Sequence, residues 1–552
     1  MTFDLVDQPW VPVLRTDGPG TVSLREALLE ASGVTALVPP FPGQVPALLR
    51  QVLLPVVLDA LGLPRSLSEW GSLLRQGAFT VEQREKISSY LDEWRHRFDL
   101  FDEKQPFAQV GGLRTAKGDT KPSLLLVSSA ASGNNVPLFS VRTEADELPL
   151  TPGEAALWLL HAHCWDTAGI KTGVVGDDQA KAGKTTGNPT GPLGQLGVIV
   201  PMGPTLFDTI VLNLPIHEDG LEPEDKPQWR RDPATPAWEE RHARGLLDLL
   251  TWQSRRIRLF PETDANGETR VTRVLVAAGD RLAVTPEWEP HTAWRVEQNP
   301  KKGQQPRRPL RHVPGKAVWR GLDALLALSR SAEDRRVITS DLLRQLGDAR
   351  VMGWLADDYP LQVAIYGIQY GNQSAVVEEA ITDSLPLPVA ALARDESVRD
   401  VLLNVATQAE RLAEAINHLS ADLRRAVGGE PLPRDSGQRP GDLLIHDLDP
   451  LVRRLFAGLQ KAGGDEELLE RGMKAWEVAA WGAAERIADH LLDSVPPDAF
   501  GGRETDNSEQ KNNGGRENKK RAYRAATAEQ NFRRQLRTIL PLADEARRSS
   551  RK

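Results

Sequence analysis

The residue types able to do chemistry are thinly spread in this chain. Gly183-Lys184-Thr185 has the ending of a phosphate loop. That loop needs a glycine five positions earlier, so that backbone N–H groups can curl around the phosphates. Asp178 stands there instead, a carboxylate where an anion should sit, and no clean apolar strand leads in. An NTPase on these residues is therefore a minor alternative. His161-Ala162-His163-Cys164 offers three possible metal ligands. The segment Leu157–Cys164 follows Thr151-Pro-Gly-Glu and reads as a helix, on which adjacent His163 and Cys164 cannot easily converge on one ion. A structural role fits them better. His291, His312 and His446 lack a recognisable acid or nucleophile partner, and no Gly-x-Ser-x-Gly elbow occurs. Carboxylates are plentiful but form no two-metal motif. No enzyme class is indicated, and no metal or cofactor is expected.

Composition sets further bounds. The 552 residues carry 40% hydrophobic and 26% charged side chains, enough for a large core and two or three domains. Cys164 is the single cysteine, which excludes an internal disulfide and Cys-rich clusters. The N-terminus, Met1-Thr-Phe-Asp-Leu-Val-Asp, is acidic rather than signal-like, and no run approaches the ~20 apolar residues of a membrane span. A cytoplasmic protein with no membrane partner is expected. The net charge of −8 argues against a general polyanion binder. Charge is uneven, however: from Gly501 onward there are 14 Lys/Arg against 7 Asp/Glu. Lys301, Lys302, Arg307, Arg308, Arg311, Lys316 and Arg320 also follow one another without an acid between them. Such patches suit contact with nucleic acid at chosen places, or simply a solvated loop.

The elements that must position these residues fall into an α+β pattern. Phe3–Leu14 alternates as a strand, Thr16-Asp-Gly-Pro-Gly is a turn, and Thr21–Ala31 passes from strand to helix. Val45 to Leu61 has helical spacing with a kink at Pro55, and a second helix covers Thr80–Arg97. Between about 104 and 320 the short apolar runs Leu124–Val127, Gly197–Val200 and Thr209–Leu214 read as strands between long loops. A large mixed domain with short strands and long loops is expected over 1–380. From 386 the pattern becomes helical: Leu402, Val405, Ala409, Leu412, Ile416, Leu419 and Leu423 form one seam. Leu444, Leu448, Leu451 and Leu455 start a second helix, Leu469 to Leu491 a third, and Tyr523, Phe532, Leu536 and Ile539 a fourth. A C-terminal four-helix bundle is expected over 381–552, with a mobile insert at 501–517.

Several strings, taken in order, resemble the CasA family, the large subunit of the type I-E CRISPR surveillance complex Cascade. They are Asp7-Gln-Pro-Trp10-Val-Pro, Gln105-Pro-Phe107-Ala-Gln109, Ser132-Gly133 with Phe139, and Thr251-Trp252-Gln253 with Arg255, Arg256 and Arg258. Tyr370-Gly371-Asn372-Gln373-Ser374 and the helical C-terminus complete the set. The resemblance implies a non-catalytic subunit that recognises the protospacer-adjacent motif (PAM) in double-stranded DNA from the minor groove. It also implies that the subunit starts strand separation and R-loop formation, and recruits a helicase–nuclease. Implied partners are the other Cascade subunits and the 5′ handle of the guide RNA.

Three family elements map onto this sequence. A glycine loop falls on Ala168-Gly169-Ile170-Lys171-Thr172-Gly173. Glycine lets backbone approach a minor groove only about 6 Å wide, and Lys171 adds a possible phosphate contact. A helix cap and turn would use the same glycines, and Gly191-Pro-Leu-Gly194 is a lesser candidate. A glutamine wedge falls on Gln373 with Asn372 beside it, at a hairpin tip that is otherwise an exposed turn. The lysine finger falls near Gly279-Asp280-Arg281, with Arg281 as the cation. Pro261–Glu268 lacks the Cys cluster of some members, so no zinc is implied. Ser132, Gly133, Asn134, Asn135 and Phe139 map onto the guide-handle and subunit contact, where Phe139 either stacks on a base or is an ordinary core residue. Lys301, Lys302, Arg307, Arg308, Arg521 and Arg524 would hold DNA backbone. The alternative outside this reading is a scaffold that never touches DNA.

Overall fold

The computed structural model describes all residues except 131–147, 298–305, 327–336, 393–395, 434–438, 506–520 and 550–552. Two compact units emerge: one holds Met1–Ala356 and Pro360–Leu385, the other Asp357–Tyr359 and Pro386–Lys552. The architecture is α+β, with mixed strands and helices in the first unit and helices dominating the second.

The first unit begins with a three-stranded antiparallel sheet of β1 (Val11–Arg15), β2 (Gly18–Val22) and β3 (Val34–Leu37), in the order β2-β1-β3. The Thr16-to-Gly20 segment expected as a turn is shorter than read, because Gly18 already pairs with Arg15. Between β2 and β3, Ser23 and Glu26 close a capping box on α1 (Leu24–Leu29). The apolar stretch Gln44–Leu61 is one continuous helix, α2, containing a π-helical turn at Leu49–Leu53. The π turn sits just before Pro55, whose missing N–H frees a carbonyl one turn earlier. By length and composition α2 could cross a membrane, but 78% of it is buried inside the protein, the setting of a core helix. After a ten-residue helix at Leu67–Gln76 comes α3 (Val81–Trp94), capped by Thr80 and Gln83.

Central to the unit is α4 (Pro152–Trp165), started by Thr151 and Glu154 in a capping box with Pro152 in its first turn. Every residue from Ala155 to Trp165 is buried, and α4 packs against the start of α2. After it come β4 (Gly169–Thr172), β5 (Lys184–Asn188) and β6 (Val198–Met202). Two short apolar runs differ from the strand reading. Thr209–Leu214 falls mostly in a helix, α5 (Leu206–Leu212), and Leu124–Val127 in a 3-10 turn at Ser123–Leu126. Runs this short carry no decisive periodicity, and the Thr205–Asp208 capping box settled the first as a helix.

The long antiparallel pair β7 (Arg255–Thr263) and β8 (Thr269–Ala278) follows, then β9 (Trp294–Val296) with β10 (Arg307–Pro309). The unit ends in β11 (Gln362–Tyr370) and β12 (Val377–Pro386), in a sheet of order β12-β11-β6.

In the second unit α6 (Glu396–Ala426) packs against α7 (Pro440–Ala462), α8 (Glu466–Asp493) and α9 (Ala525–Ile539), and α10 (Pro541–Ser549) closes the chain. Leu402, Val405, Ala409, Leu412, Ile416, Leu419 and Leu423 are all buried, as the α6 seam requires. On α7 the seam departs from the expected spacing. Leu451 and Leu455 are only half-buried, while Val452, Phe456 and Leu459 fill the core after Leu448. The departure falls at Pro450, inside α7, whose missing N–H and ring disturb the helix ladder there. Tyr523 lies on a two-stranded pairing of Arg503–Thr505 with Arg521–Tyr523 rather than on α9. Most of the 501–517 insert lies outside the described residues.

Candidate nucleic-acid interface

The glycine segment forms β4 of a hairpin with β5. Gly169 pairs with Asn188 and Lys171 with Thr185, so two β5 residues, Thr186 and Gly187, stand opposite Ile170 in a bulge. A bulge bends and twists the strand that carries it, and Ile170, on the facing strand, is 63% exposed. Two glycines are demanded by geometry. Gly169 has φ +117°, a conformation closed to other residues, and a Cβ on Gly173 would lie 2.6 Å from the Gly183 carbonyl carbon. The lesser candidate, Gly191 to Gly194, is explained by packing: Cβ atoms there would collide with the Cys164 carbonyl and the Tyr370 hydroxyl.

The glutamine hairpin reaches the same place. The Ala168 N–H donates to the Ser374 carbonyl at 2.8 Å, and the Tyr370 hydroxyl donates to the Trp165 carbonyl at 2.6 Å. In the β11–β12 turn, Gln373 (φ +53°) and Ser374 (φ +54°) are both left-handed, rare for residues with a Cβ. Asn372 and Gln373 are exposed at the tip. Arg281 arrives from a third direction. Its guanidinium donates to the Thr186 carbonyl at 2.8 Å and lies over Trp238, 4.0 Å from the ring centre. The three segments singled out in the sequence thus meet at one hairpin, β4–β5.

Its root is an ion cluster that sequence reading missed. Arg255, buried, pairs with Asp166 and donates to the carbonyls of Thr167 (3.0 Å) and Pro189 (2.8 Å). Lys171 Nζ lies 2.5 Å from the same Asp166 carboxylate. Burial alone would raise the Asp166 carboxyl, but the charges of Lys171 and Arg255 outweigh it and hold it at about 2. Burial pushes the Lys171 ammonium below its usual range. Only 11% of the Lys171 side chain is exposed. Breaking a buried pair costs about 3–5 kcal/mol, so Lys171 anchors the hairpin instead of reaching out to a phosphate. Arg255 stands in the Trp252-Gln253 string, but nothing local announces a partner on a distant helix end.

The other candidates divide. Ser132, Gly133, Asn134, Asn135, Phe139, Lys301 and Lys302 lie outside the described residues. Arg307 pairs with Glu287 at 2.6 Å and Arg308 with Glu297 at 2.5 Å, so acids from elsewhere neutralise a stretch that looked acid-free. Arg521 lies on the short Arg503–Thr505 pairing, and Arg524 is exposed at the start of α9.

Gly183-Lys184-Thr185 leads into a strand rather than a helix N-terminus, and Thr185 donates to buried Asp177 at 2.7 Å. This geometry holds no phosphate loop. His161 is buried with Phe41 and Trp158 at ring distances of 5.1 and 5.0 Å. Burial lowers the His161 ring to about 3 and that of His163 to about 4, and raises the Cys164 thiol to about 12. His291 accepts from Arg50 at 2.7 Å, within a buried Arg50–Glu289 pair. His446 is exposed on α7. Among the described residues, no group of three or more His, Cys, Asp or Glu could hold a metal ion.

The arrangement fits known proteins along its length. The model of a family described as CRISPR-associated protein Cse1 matches residues 4–487. The crystal structure of Thermobifida fusca Cse1 is similar with a TM-score of 0.82 and 32% identity, covering 98% of this chain and 99% of that one. A CRISPR-associated protein CasA/Cse1 of Thermus thermophilus is 26% identical over 510 residues, 88% of this chain and 93% of its relative. A chain of a CRISPR RNA-guided surveillance complex shares the fold, with a TM-score of 0.64 at 19% identity over 89% of this chain and 99% of its own. This chain belongs to the CRISPR-associated Cse1 family, whose relatives also carry the name CasA.

Proposed function

We propose that this protein is the non-catalytic large subunit of a type I-E surveillance complex. In this reading it recognises the PAM in double-stranded DNA from the minor groove, begins strand separation, and recruits the helicase–nuclease. It works beside the other Cascade subunits and the 5′ handle of the guide RNA. The observation that carries the reading is the junction at β4–β5. A glycine-rich strand, an exposed amide tip and an arginine, far apart in sequence, share one backbone-bonded surface.

Each part has a use there. Gly169 allows close backbone approach, and Asn372 and Gln373 present planar amides at a tip whose backbone is tied down by Ser374. A rigid tip can wedge a base step, offsetting a few kcal/mol of unstacking with new contacts and guide pairing. The engagement of Lys171, Arg307 and Arg308 in ion pairs favours a second reading, a scaffold without DNA contact.

Target-duplex binding by the reconstituted complex, with and without this chain, across a randomised PAM library separates the two. The PAM reading expects the chain to sharpen binding to a few PAMs. It also expects Gln373→Ala to leave assembly intact while lowering PAM-dependent R-loop formation about ten-fold, equivalent to about 1.4 kcal/mol. Unchanged discrimination gives the role to the scaffold.

A further inference from the structure

Beside Arg281, a cavity of about 560 Å³ opens between Gln195, the Ala283–Thr285 segment and the β9–β10 pair. Three guanidinium groups line it, those of Arg295, Arg308 and Arg311, and no carboxylate does among the described residues. In the antiparallel register Arg295 stands directly opposite Arg308, which places both on the same face of the ladder. Like charges directly opposite each other destabilise a strand pair. Glu297 takes Nε and one terminal nitrogen of Arg308, at 2.8 and 2.5 Å, leaving the other terminal nitrogen, and Arg295 makes no side-chain hydrogen bond or ion pair among the described residues. Arg311 spends only Nε, on the Gln195 carbonyl at 3.3 Å, leaving its two terminal nitrogens available. An exposed arginine pair facing across a ladder, with a third arginine at its side, has its repulsion reversed by one anion seated on the Arg295 fork, the remaining Arg308 nitrogen and the terminal nitrogens of Arg311. Guanidinium forks match phosphate oxygens in pairs.

We propose that Arg295, Arg308 and Arg311 form a phosphodiester pocket that seats a backbone phosphate of a nucleic-acid strand. The choice of a strand over a free anion rests on the nucleic-acid reading of the adjoining β4–β5 junction. Ala283, which lines the pocket, follows Arg281 by two residues, so the pocket adjoins the segment that carries Arg281. The contact positions the strand and reads no sequence.

The test uses the reconstituted complex containing the full chain, with affinity measured against NaCl concentration on two duplexes, one with and one without the preferred PAM. Arg295→Ala is expected to reduce the slope of log affinity against log salt by about one on both duplexes, as one lost phosphate contact requires. PAM preference should stay as in the parent, and Arg295→Lys should restore most of the slope. An unchanged slope overturns the pocket. If inorganic phosphate raises the melting temperature of the parent but not of Arg295→Ala, and the DNA slope does not move, the site takes a free anion and the strand proposal falls. If the parent complex shows no PAM preference yet the slope difference persists, PAM reading fails and the pocket stands.

Discussion

The Tyr370 hydroxyl donates a 2.6 Å hydrogen bond to the Trp165 carbonyl, 205 positions away in sequence. This bond ties the last residue of β11 to the end of α4, so the glutamine tip and the glycine strand start from one shared anchor. Tyr370 is half-buried, and burial raises its hydroxyl well above the usual range, with the nearby Asp166 charge adding to the effect. It therefore acts as a neutral donor at any working pH.

Tyr370→Phe should keep the ring packing and lose this donor. The Trp165 carbonyl then goes unpaired in a buried setting, a cost of about 1–3 kcal/mol. Urea denaturation should show a lower midpoint with an unchanged slope. PAM discrimination should weaken as well, because only the Ala168–Ser374 bond then holds the tip to the glycine strand. A purely local role would lower stability and leave discrimination intact.

Gln373 holds φ +53° although it carries a Cβ, and glycine would adopt that conformation freely. Gln373→Gly relieves about 1 kcal/mol of backbone strain and adds a comparable entropy cost in the unfolded chain. Stability should therefore change little, while PAM-dependent strand opening falls as for Gln373→Ala. A residue whose removal costs function but not stability is one whose strain serves the site.

Acid should weaken the protein through its buried imidazoles. His161, His163 and His291 are held neutral by burial, at about 3, 4 and 4, while in the unfolded chain they take up protons near pH 6.5. The unfolded state thus binds more protons between pH 6.5 and about 4, and stability falls as pH drops through that window. Each histidine contributes up to about 1.4 kcal/mol per pH unit. The buried Nε2 of His161 has no hydrogen-bond partner among the described residues. His161→Leu should therefore match or exceed the parent at pH 7.5 and lose less stability by pH 5, as measured by urea midpoints at both values.

Much of the fold is legible because it rests on local rules. The α6 seam from Leu402 to Leu423 repeats every three or four residues and is buried throughout. The start of α4 is written in Thr151, Pro152 and Glu154, whose side chains satisfy the first turn without help from the rest of the chain. Where local signals are weak the reading slips, as at Thr209–Leu214, or on α7 where the seam passes to Val452 and Phe456.

The candidate site divides along the same line. Glycines at 169 and 173, the amides of Asn372 and Gln373, and the charge of Arg281 are visible as residue types in the sequence. Which charges remain available to a ligand is not visible there, because a long side chain takes its partner from whatever the fold brings near. Lys171 finds Asp166, Arg307 finds Glu287, and Arg308 finds Glu297, while Arg295 faces another arginine. Helical seams, caps and the glycines that let backbones approach are readable from residue order alone. That Ala168 meets Ser374 and Arg281 meets Thr186 is set by the folded chain. The difference is one of range: periodicity and capping act within a turn or two of chain, whereas ion pairing and hairpin docking depend on distances that only folding defines.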